Sequence, residues 1–294
     1  MKIFIESPAL AGRSEDLLQP GSLYAAGVLA EHGHKLLWST DLSENQLKIL
    51  GNEGLATFKS KKEYDALITF ENGKFLFKDD NEVLNEAESW PKLIQSILFP
   101  IRKATIKRAT KETDIELSLN LDGTGESNVN TGLNFFDHML DQIARHGLID
   151  LDLTCSGDLE VDEHHTIEDV AIALGQAIHK AVSANKAGIQ RYGFVLPMDE
   201  AQATVAIDLS DRPYLQYDVN LKREYVGDFP TEMLEHFYYT LAMNAKATLH
   251  VTANGKNDHH IIEATFKGFA RALRFAITRT ERTKGILPST KGII

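Results

Sequence analysis

The chain has 294 residues, of which 43% are hydrophobic and 25% charged, a balance typical of a folded protein with one or two cores. Its formal net charge of −11 argues against nucleic-acid partners, and its single cysteine, Cys155, excludes an internal disulfide and a cysteine-based zinc cluster. Neither a signal peptide nor an apolar run of membrane length is present, so we expect a cytoplasmic protein with no membrane partner.

The first hundred residues predict an α/β domain that ends at Pro100. Alternating strands and helices are expected at Lys2–Glu6, Pro20–His32, His34–Thr40, Ala66–Phe70, Lys74–Lys78 and Glu82–Leu98. Beyond them, Ile115–Leu121 alternates as a half-buried strand, and Asp122 followed by glycine is a hairpin signal. We therefore expect a first domain over 1–100 and a second over 104–294, with a turn at Asp122.

The pattern Asp-x-His-His-x-x-Glu occurs twice in the second domain, once as DEHHTIED at 162–169 and once, one residue shorter at its front, as DHHIIEA at 258–264. An apolar run of helical periodicity follows each copy. Histidine and glutamate four residues apart lie on one helix face, so His164 and Glu168 can share a metal, whereas His165 points elsewhere. In the second copy, His259 and Glu263 share a helix face in the same way, and His260 is turned away.

The duplication extends upstream, because FFDHML at 135–140 and MLEHF at 233–237 precede the two copies at similar distances. Each half then predicts a helix, a strand, a glycine turn and a second helix, with the strands at Leu148–Thr154 and Ala247–Ala253. The predicted fold class is α+β, with two repeated half-domains over about 104–195 and 196–294. Each half-domain is a small β-sheet packed with helices.

Packing of the halves about a pseudo-twofold axis predicts two metal sites, each with a His/Glu pair from one half and a single histidine from the other. The upstream His138 and His236 are the expected fourth protein ligands. Imidazole and carboxylate ligands suit Mn, Fe, Zn or Ni, and four protein ligands leave two octahedral positions open. The predicted ligands are His138, His164, Glu168 and His260 for site 1, and His165, His236, His259 and Glu263 for site 2. His146 has no histidine counterpart in the second half, which favours substrate contact over a repeated metal role, with a plain surface histidine as the alternative.

Several further motifs accompany these copies over about 190 residues. They are RATKET at 108–113, FFDHML at 135–140, LSDRPY at 209–214 and LPSTKG at 287–292. Together the motifs, in this order, resemble imidazoleglycerol-phosphate dehydratase, a carbon–oxygen lyase of histidine biosynthesis. The resemblance implies half-domains of the ribosomal-protein-S5-domain-2-like type, two Mn²⁺ ions per active site, and a homo-oligomer of 24 copies with active sites between subunits.

The substrate implied by the resemblance is a small phosphorylated imidazole diol, from which water is eliminated to give imidazole acetol phosphate. Two metal ions would hold the substrate imidazole as imidazolate, as Lewis acids and as a template. A positioned carboxylate must move the proton, and Glu112 matches the acidic substrate residue of the family. The expected catalytic residues are therefore Glu112, Glu168 and Glu263.

The phosphate of such a substrate needs directional cationic donors. By the same matching, the residues expected to contact substrate are Glu112, His146, Arg191, Arg212, Lys267, Ser289, Thr290 and Lys291. Lys267 follows His259 by eight residues, so it lies on roughly the same helix face. Gln142 and Arg145 are further candidates for lining the pocket.

In the first domain, the helix that starts at Pro20 and the strand that ends near Thr40 resemble part of a haloacid-dehalogenase-type phosphatase, the histidinol-phosphatase class. The first strand ends in Glu6, Ser7 and Pro8, without the paired aspartates of that class. We therefore expect a degenerate domain without phosphatase activity. Two alternatives are a bifunctional dehydratase and histidinol phosphatase, and a metal-binding assembly protein that has lost catalysis.

Overall fold

The computed structural model describes residues 1–11, 17–55, 64–79, 82–183, 186–280, 282–283, 286–287 and 289–290. The chain divides into two compact units, Met1–Pro100 and Ile101–Ile294. The second unit starts three residues before the predicted start at Ala104. Among the described helices, none combines the length and the apolar character needed to cross a membrane.

The first unit is built on one five-stranded sheet. Its strands are β1 (Lys2–Ile5), β2 (Lys35–Trp38), β3 (Ala66–Glu71), β4 (Lys74–Asp79) and β5 (Glu82–Ala87), and its helices are α1 (Ser7–Leu10), α2 (Ser22–Glu31), α3 (Glu44–Asn52) and α4 (Trp90–Leu98). The order is β2-β1-β3-β4-β5, with β1 parallel to both of its neighbours and the remaining pairs antiparallel. Trp38 and Trp90 are fully buried in the core of this unit. The sheet and its helices agree with the predicted α/β class.

Two predictions in the first unit need correction. The expected helix Glu82–Leu98 is a strand, β5, followed by a shorter helix, because residues 82–87 complete their backbone hydrogen bonds by pairing with β4. Helix α3 was not predicted, although Ser43 and Gln46 form a reciprocal capping box at its start. Serine followed three residues later by glutamine is a sequence signal for a helix N-terminus, and it was overlooked.

The second unit contains the duplication. The strands are β6 (Lys103–Ala109), β7 (Thr113–Asn120), β8 (Ser127–Asn130), β9 (Asp150–Gly157), β10 (Tyr192–Met198), β11 (Ala201–Asp208), β12 (Tyr214–Val219), β13 (Tyr225–Val226), β14 (Phe229–Pro230) and β15 (Thr248–Asn254). The helices are α5 (Asn134–Gly147), α6 (His164–Ser183), α7 (Met233–Ala245) and α8 (Asp258–Ile277). The two four-stranded sheets have the orders β6-β7-β9-β8 and β10-β11-β15-β12, which are the same topology, and β13 pairs with β14 in a two-stranded sheet. The α+β class with small sheets packed against helices is therefore confirmed.

The boundary between the halves differs from the prediction. The second sheet begins with β10 at Tyr192, so a division at 195/196 would cut this strand. The turn at Asp122 is present, but it leads to β8, which is not a neighbour of β7, so the hairpin signal was misleading. Asp122 instead forms an ion pair at this turn, in which its carboxylate binds the guanidinium of buried Arg102 at 2.5 Å.

The helices pair across the halves, with α5 packed on α8 and α6 packed on α7. One large core spans both halves, and Phe136, Phe237 and Phe266 are fully buried in it. Gly175 allows the close approach of α6 to α7, since a Cβ atom there would lie 2.9 Å from backbone atoms of Leu241 and Ala245. This cross-pairing determines which histidines meet which glutamates.

Candidate active site

The first copy of the repeated pattern forms a compact cluster with a residue of α7. Glu168 Oε2 lies 3.6 Å from His164 Nε2, and Glu168 Oε1 lies 3.3 Å from His236 Nε2. The ligand atoms of these three residues all lie within 4.8 Å of one another. His236 Nε2 is buried and makes no hydrogen bond within the described residues. A buried nitrogen without a partner beside a carboxylate and an imidazole fits a divalent metal of the Mn, Fe, Zn or Ni type.

The second copy forms a related cluster with a residue of α5. Glu263 Oε2 lies 3.2 Å from His259 Nε2, and Glu263 Oε1 lies 3.8 Å from His138 Nε2. Lys267 Nζ donates to Glu263 Oε1 at 2.8 Å, so this carboxylate already binds a cation. Burial would raise the pKa of Glu263, but the hydrogen bond and charge of Lys267 outweigh it and leave the pKa lowered. Glu263 is therefore ionised at neutral pH.

The assignment of the upstream histidines needs correction within one chain. His138 was predicted to join His164 and Glu168, and His236 to join His259 and Glu263. The structure brings together the opposite pairs, because α5 carries His138 onto α8 and α7 carries His236 onto α6. Sequence periodicity gives the face of a helix but not the helix that it packs against.

His165 and His260 lie apart from both clusters formed within one chain. His165 Nδ1 is 3.1 Å from Asp158 Oδ1, and His260 Nδ1 is 2.9 Å from Glu200 Oε2. These carboxylates raise the pKa of each imidazole, chiefly through the hydrogen bond. The hydrogen bond to His260 also lowers the pKa of Glu200 to about 2. Asp158 and Glu200 were not predicted.

Glu112 lies in the turn between β6 and β7, with its Oε1 3.8 Å from His165 Nε2 and half of its side chain exposed. Thr110 Oγ1 accepts hydrogen bonds from the backbone N–H of Glu112 at 3.1 Å and of Thr113 at 2.9 Å. Glu112, the predicted acid/base residue, therefore lies beside His165, on a turn that Thr110 stabilises.

Buried Asp169 attaches this turn to α6. Its carboxylate accepts Arg108 Nη2 at 2.7 Å and Thr113 Oγ1 at 2.5 Å, so both strands that flank Glu112 are bound to it. The second half has Ala264 at the equivalent position. The two copies of the pattern differ at this position, but the sequence alone did not predict a role for Asp169.

The predicted phosphate ligands are only partly assembled in a single chain. Arg191 Nε binds Asp208 Oδ2 at 2.7 Å and Arg212 Nη2 approaches the same oxygen at 3.5 Å, while both arginine side chains stay more than 60% exposed. Asp208 therefore holds two cations side by side and was missed by sequence reasoning. Ser289 and Thr290 are described but share no hydrogen bond with these arginines, and Lys291 lies outside the described residues.

His146 belongs to the surroundings of the second cluster. Burial lowers its pKa, and the charges of Lys267 and Arg271 lower it further, so the imidazole is neutral at pH 7. Gln142 and Arg145, on the same helix, line an open cavity of about 560 Å³ together with His138. Both residues therefore line a cavity beside His138, and their contact with substrate stays a prediction.

In the first unit, the carboxyl ends of β1 and β2 lead to Glu6 and Ser39. Parallel strands usually present ligand-binding groups at this edge. Of the described residues that directly follow β1, none is an aspartate. The structure thus offers no aspartate nucleophile at the position where that class of phosphatase requires one.

Fold and site together define the second unit as a duplicated α+β domain with histidine–carboxylate clusters between its paired helices. A family model described as imidazoleglycerol-phosphate dehydratase matches residues 131–273. The imidazoleglycerol-phosphate dehydratase of Acetivibrio thermocellus is 54% identical over 195 residues, which are 66% of this chain and 99% of that protein. This chain belongs to the imidazoleglycerol-phosphate dehydratase family.

A solved structure and a longer relative support membership of the same family. The crystal structure of imidazoleglycerol-phosphate dehydratase from Staphylococcus aureus matches with a TM-score of 0.56 at 36% identity, covering 60% of this chain and 99% of that one. The histidine biosynthesis bifunctional protein HisB of Spirosoma linguale is 49% identical over 212 residues, which are 72% of this chain. The chain spans only 55% of the length of that bifunctional relative.

Proposed function

We propose that this protein is a metal-dependent imidazoleglycerol-phosphate dehydratase that removes water from D-erythro-imidazole-glycerol phosphate in histidine biosynthesis. The observation that carries the proposal is the pair of His/Glu clusters between cross-paired helices in a chain of this family. Because the chain spans about half the length of the bifunctional relatives, its own activity, substrate and partners are part of the proposal.

His164, Glu168 and His236 would hold one metal ion, and the unpartnered Nε2 of His236 supports this set. His138, His259 and Glu263 would hold a second, after Lys267 moves from Glu263 to the substrate phosphate. Mn²⁺ suits both donor sets, and when bound the two ions would act as Lewis acids that stabilise the substrate imidazole in its deprotonated form.

The residues of this chain would bind the substrate and transfer protons. Glu112 would take the proton from the carbon next to the one that loses hydroxide, which gives an enol that tautomerises to the ketone. Arg191, Arg212 and Lys267, with Ser289, Thr290 and Lys291, would hold the phosphate, and neutral His146 would contact substrate beside Lys267.

His165 and His260 complete neither cluster within one chain, and their Nε2 atoms are not bound by Asp158 or Glu200. We therefore propose that they serve clusters of neighbouring copies, with active sites between subunits of a homo-oligomer, 24 copies being the family expectation. A cytoplasmic location belongs to the same proposal.

The test uses the full chain stripped of metal with a chelator. Dehydration of imidazoleglycerol phosphate should be lost on stripping and return with Mn²⁺, with formation of imidazole acetol phosphate as the measured signal. His236→Ala should lower both the bound Mn²⁺ and the rate at least 100-fold, because it removes a ligand whose lone pair has no other partner. His250→Ala, on the exposed face of β15, is the matched control. Full activity of the stripped protein would refute the proposal.

Two other functions have less support. A bifunctional enzyme would need an aspartate nucleophile after β1, where Glu6, Ser7 and Pro8 stand instead. A metal-binding assembly protein without catalysis would need neither the anchored turn of Glu112 nor the exposed arginine pair on Asp208. Release of phosphate from histidinol phosphate by the purified chain would favour the first of these alternatives.

A further inference from the structure

The two halves carry a glutamate at the same place in the repeat. Glu112 directly precedes β7, the second strand of the first sheet, and Glu200 directly precedes β11, the second strand of the second sheet. Each lies beside the second histidine of its half, His165 or His260. The duplication therefore placed one carboxylate in two equivalent turns, and its surroundings now differ.

The Glu200 carboxylate is fully engaged. Its Oε1 accepts the backbone N–H groups of Lys256 at 3.2 Å and Asn257 at 2.9 Å, and its Oε2 lies 2.9 Å from His260 Nδ1. An ionised carboxylate only accepts hydrogen bonds, so His260 must carry its proton on Nδ1. In the neutral ring, Nε2 then presents a lone pair.

The Glu112 carboxylate is not engaged in this way. Within the described part of the chain it accepts no hydrogen bond, and its Oε1 lies 3.8 Å from His165 Nε2. His165 is held from the other side, because its Nδ1 lies 3.1 and 3.2 Å from the two oxygens of Asp158. The neutral ring of His165 therefore has the same tautomer as that of His260, with no proton on Nε2.

An exchange of residue type at the end of the strand accompanies the difference. Asp158 follows Gly157 at the end of β9, and Lys256 follows Gly255 after β15, so an aspartate in one half stands where a lysine stands in the other. The first half can hold its histidine from the strand end. The second half has a lysine there, which cannot accept a hydrogen bond, so Glu200 in the turn holds His260 instead.

We propose that Asp158 and Glu200 are positioning residues that hold His165 and His260 with Nδ1 protonated and Nε2 free, and that Asp158 thereby leaves Glu112 available for proton transfer. The second clause of this proposal rests on the proposed function, whereas the tautomers do not. A carboxylate on the remote nitrogen of an imidazole fixes the ring orientation and raises its basicity towards a metal.

The first measurement is the tautomer of each histidine in the metal-free protein, by magic-angle-spinning NMR of sedimented full chain labelled with ¹⁵N histidine. Signals are assigned by their loss in His165→Gln and His260→Gln. Glu200→Gln should change His260 to the Nε2-protonated form. Its amide oxygen keeps the two backbone N–H groups, so its N–H₂ faces Nδ1. Asp199→Asn is the control in the same turn: its carboxylate is 78% exposed and lies 3.9 Å from His260 Nδ1, beyond hydrogen-bond distance, so the tautomer should stay unchanged.

The second measurement is Mn²⁺ binding to the same stripped proteins. Glu200→Gln and Asp158→Ala should each weaken binding about 10- to 100-fold. Exposed Glu160→Gln is the control for Asp158, with wild-type affinity expected. Glu112→Gln should keep both tautomers and the Mn²⁺ affinity while losing turnover, which separates proton transfer from positioning.

Wild-type tautomer and Mn²⁺ affinity in folded Glu200→Gln would overturn the positioning role of Glu200, and the same result in Asp158→Ala would overturn that of Asp158. Full turnover in Glu112→Gln would overturn the role of Glu112. A wild-type protein that holds both tautomers yet dehydrates nothing would instead refute the proposed function, so the two failures are distinguishable.

Discussion

At the scale of one residue, the carboxylate of Asp150 holds the loop before β8 in place. Its Oδ1 accepts the backbone N–H groups of Thr124, Gly125 and Glu126 at 2.7, 3.2 and 3.3 Å, and its Oδ2 accepts Asn120. Burial would raise the pKa of Asp150, but these hydrogen bonds outweigh it and lower the pKa below its ordinary value of 3.8. The loop before β8 therefore depends on an ionised carboxylate.

The direction of the pH effect follows from that shift. A carboxyl group whose pKa is lowered by folding contributes stability that is fully present above its unfolded value, here 3.8, and is lost as the pH falls through the folded value. Asp150→Asn should lower the urea midpoint at pH 7 and flatten its fall below about pH 4, measured by far-UV circular dichroism. Asp152→Asn is the control, because the Asp152 carboxylate accepts only one side-chain hydrogen bond within the described residues, from Asn128. An unchanged acid limb in Asp150→Asn would contradict the assignment.

At the scale of elements, the turn between β6 and β7 is fixed to α6 through Asp169. Asp169→Ala leaves Arg108 and Thr113 without their acceptor, so we expect a loss of about 1–3 kcal/mol of stability. Dehydration should fall more than ten-fold in kcat with bound Mn²⁺ unchanged, because Glu112 is displaced while the ligands stay. Exposed Asp114→Ala, on the same hairpin, is the control. Loss of Mn²⁺ rather than of kcat would show that Asp169 supports the metal cluster instead.

The same scale shows what sequence could and could not predict. The spacing of His164 and Glu168 depends on the period of one helix, so their pairing was predicted and is present in the structure. The partner of His236 depends on which helices pack together, and the cross-pairing of α6 with α7 has no local sequence signal. Glu200 does have a sequence signal, because it occupies the repeat position of Glu112.

At the scale of the whole molecule, the two units have separate cores and separate spectroscopic probes. Both tryptophans, Trp38 and Trp90, are buried in Met1–Pro100. Tryptophan fluorescence therefore follows the first unit alone, while circular dichroism follows both. The Acetivibrio thermocellus dehydratase matches over 99% of its own length with 195 residues, about the length of Ile101–Ile294. A dehydratase of that size without the first unit therefore exists.

These facts predict that residues 101–294 retain Mn²⁺-dependent dehydration when expressed alone, since the proposed ligands and Glu112 all belong to that unit. The rate per site should stay within about three-fold of the full chain, and the full chain should release no phosphate from histidinol phosphate. The substitution Glu6→Ala should change neither activity, because the first unit lacks the aspartate that a phosphatase would use at β1. If the truncated chain folds and binds Mn²⁺ but dehydrates slowly, the first unit contributes to catalysis. Tryptophan fluorescence across a urea titration of the full chain, with and without Mn²⁺, then shows whether metal bound in the second unit stabilises the first.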